Sequence, residues 1–429
     1  MAISGGSLVA AVLALGLAVS TPPLDLNATV RDTLAHNPEL RSLRRAHDLA
    51  EADVRIAKVY PHNPFLESKV RHVDPSPVDV GTLDITQEHR LAIDVEMRGQ
   101  SRHRRTIAEA ALTRTDYEIA AQEQSFAVRA ARAWNGVLYR RLKVSNLEDT
   151  LKLVEQAEQE VGNATALGLL RGADPLLTRA ETNDVRAAVE TSQVALTSAF
   201  TELRRTLGDP DTLLSVRGTF DLPPPAPDAS ALVRHAYDLR PDLLAKRTAV
   251  RESAARRDLE EADRYGNPNV GFAYEKDPTA TELIGAQVVL NIPVVDDHRQ
   301  LIRRRELEVQ RARVDVDAQE LGVRQDVRAA ISRLDSARRA AQLYGGKVLP
   351  ELKGIREGVE RLFSMGDPAA DLLRVIDVRR RQIRAVEGYL DALWEAREAL
   401  IDLAAASGDL TLLAGLSGGG APVTANERP

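Results

Sequence analysis

Asn267-Pro268-Asn269-Val270-Gly271-Phe272-Ala273-Tyr274-Glu275-Lys276-Asp277-Pro278, with the run Ile284-Gly285-Ala286-Gln287-Val288-Val289-Leu290 that follows it, decides the fold. Large side chains at Val270, Phe272 and Tyr274 alternate with small ones at Gly271 and Ala273, the two-residue period of a strand with unlike faces. Ile284, Ala286, Val288 and Leu290 repeat that period before Pro293, and Asp277-Pro278-Thr279-Ala280 joins the two runs as a turn. An earlier stretch has the same plan: Pro64 to Val73, a turn at Asp74-Pro75-Ser76-Pro77, and a second strand near Gly81 to Ile93. Four Xaa-Pro steps frame both copies in one order. Asn37-Pro38 matches Arg240-Pro241, Asn63-Pro64 matches Asn267-Pro268, Asp74-Pro75 matches Asp277-Pro278 and Asp174-Pro175 matches Asp367-Pro368, at offsets of 203, 204, 203 and 193 residues. Such spacing marks a tandem duplication.

Helices fill the rest of each repeat. No proline occurs between Val78 and Asp174, and Phe126, Ala130, Ala133, Val137, Val144, Leu147, Leu151 and Val154 keep a three-and-four spacing. The second copy continues the seam through Val323, Val327, Ala330, Leu334, Ala337, Ala341 and Tyr344. Its returning arm carries Ile376, Ile383, Val386, Leu390, Leu393 and Leu400. A single helix from Gln100 to Val161 would be about 90 Å long at 1.5 Å per residue, beyond any ordinary compact domain. Gly345-Gly346 and Pro350 predict a bend or break in the second ascending arm. Glycine and Asp-Pro mark tight turns at Gly168 to Pro175 and at Gly366 to Pro368, so each pair of arms reads as an antiparallel hairpin.

Composition bounds the function. Aromatic residues are 4% of the 429, apolar residues 44% and charged residues 28%, a mix suited to long helices packed by small side chains. The formal charge of -6 argues against a nucleic-acid partner, and the lack of cysteine excludes disulfides, thiolate metal sites and cysteine nucleophiles. No phosphate loop, HExxH or Gly-x-Ser-x-Gly elbow is present, so no enzyme chemistry and no cofactor are expected. Ser7 to Val19 is a 13-residue apolar run, the length of an export-signal core and too short to span a bilayer as a helix. Passage through a membrane therefore rests on the strands, and two strand pairs cannot close a barrel alone. The expected organisation is a signal at 1–22, a first repeat at 23–209, a proline-rich linker at 210–230, a second repeat at 231–408 and a disordered tail at 409–429.

These landmarks resemble the TolC-like outer-membrane efflux channel family over about Leu24 to Gly408. The opening Leu24 to Leu40 is similar to that family's first helix with its Asn37-Pro38 step. Asn63-Pro64 and Leu349-Pro350 fit as well, and Met97 to Arg105 looks most like the heavy-metal cation-efflux branch. The resemblance implies a mainly α fold with a small β part: two tandem repeats of coiled-coil hairpins with inserted strand pairs. It also implies a homotrimer sharing one twelve-stranded β-barrel in the outer membrane and a long periplasmic α-barrel. Such a channel is a passive duct that docks through its hairpin tips to a periplasmic adaptor protein and an inner-membrane pump. A soluble periplasmic coiled-coil scaffold, or the pump adaptor itself, is the alternative. A scaffold leaves the proline-bounded strands unexplained, and an adaptor should carry one hairpin rather than two.

Candidate site residues gather at the tips. Asp174, Asp367 and Asp371 would form acidic rings in a trimer, selecting cations or holding a closed gate with basic groups such as Arg171 and Arg374. Asp174 and Asp367, each directly before proline, read first as helix caps, which leaves Asp371 as the stronger pore candidate. Gly168, Gly172, Leu362 and Gly366 are the adaptor-contact candidates. The histidines, among them His62, His72, His89 and His103, show no ligand spacing, and Trp134 and Trp394 are expected in helix packing. The arginine-rich runs 102–105 and 303–305 occupy equivalent places just after the strands; they read by default as solvated helix faces, with a basic collar near the inner membrane interface as the alternative. Glu88, His89 and Arg90 are unusual for a barrel wall, so either they face a lumen or the strand boundary lies elsewhere.

Overall fold

A computed structural model of the chain describes residues 23–72, 85–167, 174–209, 214–277, 281–293, 296–365 and 372–416. The first repeat runs α1 (Leu26–His36), α2 (Pro38–Lys58), β1 (Phe65–His72), β2 (Ile85–Asp94), α3 (Gln100–Ala166) and α4 (Asp174–Leu207). The second runs α5 (Ala229–Leu239), α6 (Pro241–Asp263), β3 (Asn269–Lys276), β4 (Glu282–Val289), α7 (Arg299–Leu343), α8 (Leu349–Ser364) and α9 (Leu372–Ser407). At 67 residues α3 is about 100 Å long.

The Asn-Pro step works as its residue types require. Proline has no N–H and sits at the first position of α2, while Asn37 Oδ1 accepts from the Glu39 and Leu40 N–H groups at 2.9 and 3.3 Å. Asn37 Nδ2 also donates to the Thr206 carbonyl at 2.9 Å, which ties the kink to the end of α4. There Gly208 turns the chain with φ of 79°, and a Cβ would lie 2.7 Å from Pro38 Cδ, so no other residue fits without a shift. In the second repeat Arg240 fills the Asn37 position without a side-chain cap. The Asp242 carboxylate instead accepts from the Leu243 N–H and pairs with Arg240 at 2.6 Å.

The four strands form one antiparallel sheet in the order β1-β2-β3-β4. α2, α3, α6 and α7 pack side by side in that same order, so each strand continues one helix of a single curved wall. Farther from the sheet, α4 lies against α3 and α9 against α7 and α8, giving the two hairpins expected. Phe126, Ala130, Val137, Val144, Leu147 and Val154 are buried along α3, as are Val323, Val327, Ala330, Leu334 and Ala341 along α7. The main core sits midway, where both repeats meet around Leu26, Trp134, Leu203, Val216, Leu232, Val327, Leu400 and Leu403. Trp394 is half-buried and stacks on Tyr139 at 5.5 Å.

Two expectations need correction and a third is narrowed. The tail is ordered over Leu410–Leu416, a 3-10 helix whose Leu410, Leu413 and Leu416 enter the core at a three-residue spacing that presents one apolar edge; 417–429 lie outside the described residues. The linker ends sooner than 230, because Asp228 caps α5 by accepting from the Ala231 N–H at 2.9 Å. In the second ascending arm the interruption expected at Gly345-Gly346 is a π-turn and not a break: Tyr344–Val348 carry the helix from α7 into α8, and Pro350, which has no N–H to give to the preceding turn, follows directly. The signal at 1–22 and the turn at 74–77 lie outside the described residues.

Candidate functional site

The sheet is two-faced, and its register shows how. Leu66, Leu91, Phe272 and Ala286 stand in one row across the four strands, with Ile93, Val270 and Val288 in the next. Phe272 is 70% exposed and Ile284 81%, far more apolar surface than water favours. Below the strands the same side continues through Met97, Leu290 and Ile292, all exposed. Toward the opposite end it turns polar, with Ser68 and His89 joined at 2.9 Å, His89 stacked on Tyr274, and Lys276 paired with Glu282 at 3.1 Å.

The other face carries the charges. Lys69 pairs with Glu67 at 2.9 Å and approaches Glu88 at 3.9 Å, and Arg71 approaches Glu88 at 3.5 Å. Arg90 donates to Asn269 Oδ1 at 2.5 Å, and Asn269 donates in turn to Asp94 at 2.9 Å. Glu88 and Arg90 therefore belong to β2 and share the polar face, which resolves the charged-strand problem; His89 lies on the apolar side among the polar groups at its far end. Small residues on this polar face let strands approach. A Cβ on Gly271 would fall 2.5 Å from the Leu91 carbonyl oxygen. Both outer edges, β1 and β4, lack a strand partner among the described residues.

The helices leave their own apolar seams open. On α7, Leu307, Val314 and Leu321 recur every seven residues and are 50%, 64% and 52% exposed; Leu49 and Ile56 do the same on α2. At the far ends Leu167, Leu176, Leu362, Phe363, Met365 and Leu373 are exposed.

Of the tip candidates, Asp174 is the first residue of α4, the position expected of a helix-starting residue before proline, and Arg374 is exposed on α9. Gly168, Arg171, Gly172, Gly366, Asp367 and Asp371 lie outside the described residues. The structure adds a pair that sequence reasoning missed. Arg380 of α9 bonds Glu181 of α4, tying the two hairpins together in their tip-side half. The two residues are 199 apart in the chain, and no local spacing points from one to the other.

Midway, Arg397 is fully buried, and burial holds its guanidinium down to about 10. It donates to Asn135 Oδ1 at 2.7 Å, to the Asp221 carbonyl at 3.3 Å and to the Leu416 carbonyl at 3.2 Å, and it lies over the Phe220 ring. Linker, tail and both repeats are thus fastened by one side chain. Among the described residues no three His, Asp or Glu side chains are placed to hold a metal, and no helix is long and apolar enough to cross a membrane.

No protein-family model and no curated protein sequence matches the chain. Its fold is matched among solved structures. CusC, solved in a study of conformational changes accompanying folding and transmembrane channel formation, aligns with a TM-score of 0.73 at 15% identity over 89% of this chain and 91% of that one. The outer membrane protein VceC of Vibrio cholerae aligns at 0.69 and 14% over 89% and 96%, and the open state of the Neisseria gonorrhoeae MtrE outer membrane channel at 0.69 and 16% over 91% and 89%. At such identities the likeness speaks for architecture, and the chain has the outer-membrane channel fold, a four-stranded β-segment carried on duplicated helical hairpins.

Proposed function

We propose that the protein is the outer-membrane channel of a tripartite efflux or type I secretion-like system, a passive duct leading solutes from the periplasm and its pump to the exterior. One observation carries the reading: a sheet apolar on one face, charged on the other and open at both edges, mounted on arms about 100 Å long. Unpaired edge groups are not tolerated in hydrocarbon, so the sheet must close. Four strands are too few to close alone; three copies supply twelve, with the apolar face to lipid and the charged face to a water-filled lumen. The seams on α2 and α7 are the surfaces through which neighbouring copies would pack into the helical barrel.

The duct needs no catalytic group. Its tips, with exposed Leu167, Leu362 and Met365, are the surface for a periplasmic adaptor, through which an inner-membrane pump would deliver cargo. The gate is assigned to the tip groups Asp174, Asp367, Asp371, Arg171 and Arg374, with the Glu181–Arg380 pair as a tie that must yield for the hairpins to part. The test is the membrane fraction, detergent-extracted mass and heat-dependent gel mobility of the native protein. A three-chain, heat-modifiable species in the outer membrane is expected. A soluble monomer or dimer would leave the coiled-coil scaffold as the better reading.

A further inference from the structure

Just below the sheet, the two repeats treat the same arginine-rich position in opposite ways. After β4, Arg303 pairs with Glu306 at 2.8 Å, Arg304 with Glu308 at 3.3 Å, and Arg305 with Glu308 at 2.9 Å and with Glu260 of α6 at 3.5 Å, so that run is matched by three carboxylates. After β2, Arg104 turns inward to the nearly buried Glu96. Arg98, Arg102 and Arg105 stay exposed, and no carboxylate among the described residues pairs with any of them. Arg102 and Arg105, three residues apart, share one side of the first turns of α3, and Arg98 precedes that helix across the left-handed Gly99. Arg98 rests on the Tyr265 ring at 4.1 Å from its centre.

Their level is set by the apolar face of the sheet. Val95 still hydrogen-bonds the Pro268 carbonyl at 2.9 Å, so the alternation of Leu91 and Ile93 carries on to Met97, which is 73% exposed. Arg98 is the next residue. Tyr60 and Tyr265, 43% and 46% exposed, sit at the same level, where the ring of a tyrosine suits the boundary between hydrocarbon and water. Along the helix Arg102 and Arg105 lie about 3 and 7.5 Å beyond Gln100, the first residue of α3. A headgroup layer is about 5–7 Å deep, half the difference between the full bilayer and its hydrocarbon core. Arg98 and Arg102 thus fall within the layer, and Arg105 at its outer edge.

We infer that Arg98, Arg102 and Arg105 form a docking stripe for the phosphates of anionic phospholipid headgroups in the periplasmic leaflet, an inference that rests on the duct reading. Three cations without a carboxylate partner among the described residues, placed beneath an exposed apolar band and beside two boundary tyrosines, match a layer of fixed negative charge. The stripe would set the depth of the barrel in the bilayer.

The test reconstitutes the full chain into bilayers of phosphatidylethanolamine containing a minority of phosphatidylglycerol and measures the lipid retained on gentle detergent extraction. Wild type should enrich phosphatidylglycerol over the bulk ratio. R98Q/R102Q/R105Q should lose the enrichment, R303Q/R304Q/R305Q should keep it, and R102Q alone should weaken it about fivefold. Inorganic phosphate at matched concentration should not compete; if it does, the stripe is a general anion site and the lipid assignment falls. Insertion with no enrichment, or enrichment surviving the first triple variant, overturns this inference and leaves the duct reading intact. A chain that never enters the bilayer overturns both.

Discussion

Phe272→Arg tests the assignment of the sheet faces. Phe272 lies four residues from Lys276 along β3, about 13 Å at 3.3 Å per residue. From Glu282, opposite Lys276, the chain reaches Ile292 in at most about 33 Å. At the usual tilt near 40° that path rises about 25 Å, the height of a hydrocarbon band, and puts Phe272 about 10 Å below its polar edge, near mid-depth. An arginine facing lipid there costs about 2–4 kcal/mol per chain, and about 6–12 kcal/mol for a barrel of three. Gln287→Arg is the control. It lies one residue from the Phe272 row on β4 and points to the charged face, where a guanidinium meets water and should cost under about 1 kcal/mol. Urea unfolding of the folded barrel in lipid vesicles, followed by gel mobility, measures both. Equal costs, or a larger cost at Gln287, would mean that the two faces are assigned the wrong way round or that the sheet does not meet lipid.

Arg397→Met should destabilise the protein by about 3 kcal/mol or more, because Asn135 Oδ1 and the Asp221 and Leu416 carbonyls lose their shared donor; denaturation and faster proteolysis near Leu410 would register it. His298 is the one non-glycine residue with positive φ among the described residues, at 57°, so His298→Gly should be about 1 kcal/mol more stable than His298→Ala in urea unfolding; equal stabilities would show that the backbone there is unstrained. His47 hydrogen-bonds Asp116 at 2.6 Å across α2 and α3, and that bond and charge hold its imidazolium above the usual histidine value. Since the folded-state value is the higher one, this contribution is complete below about pH 6.5 and fades as pH rises through the raised value, and His47→Gln should flatten that part of the pH–stability curve. Under the duct reading, Glu181→Ala should raise single-channel conductance or the open fraction in planar bilayers. A combined Glu181→Arg and Arg380→Glu exchange should restore the wild-type record, and unchanged conductance in Glu181→Ala would remove this pair from the gate.

Period carried most of the fold in the sequence. The three-and-four spacing from Phe126 to Val154 could only be a long seam, and those positions are buried or half-buried in α3. The alternation in Val270 to Tyr274 likewise located β3, and reading β2 by the same rule separates Leu91 and Ile93 from Glu88 and Arg90. What stayed hidden depends on contacts distant in the chain. Arg397 is one arginine among many, and nothing beside it announces that a linker carbonyl and a tail carbonyl converge on its fork. Leu410, Leu413 and Leu416 had a usable spacing, but the glycine-rich stretch after them drew the whole segment into the tail. Gly345-Gly346 suggested a break because glycine usually ends helices, whereas here small size is what counts. A Cβ on Gly345 would meet Tyr389 at 3.1 Å and one on Gly388 would meet Tyr344 at 3.0 Å, so each glycine receives a ring from the opposite arm.

The two repeats keep their shared backbone and diverge in the side chains that stabilise it. The kink before each second helix is closed by an asparagine cap at Asn37 and by an Arg240–Asp242 pair in the other copy. The left-handed residue that turns each second strand into its helix is Gly99 in one and His298 in the other, at φ of 77° and 57°. Elements fixed by chain geometry, namely prolines at kinks and alternation in strands, survive in both copies because any departure would misplace everything beyond them. Caps and ion pairs can be exchanged locally at similar free energy, so they drift. Where the exchange is unequal, as with arginines paired after β4 while Arg98, Arg102 and Arg105 near the start of α3 have no carboxylate partner among the described residues, the shared backbone does not account for the difference, and the inferred headgroup contact of the first copy does.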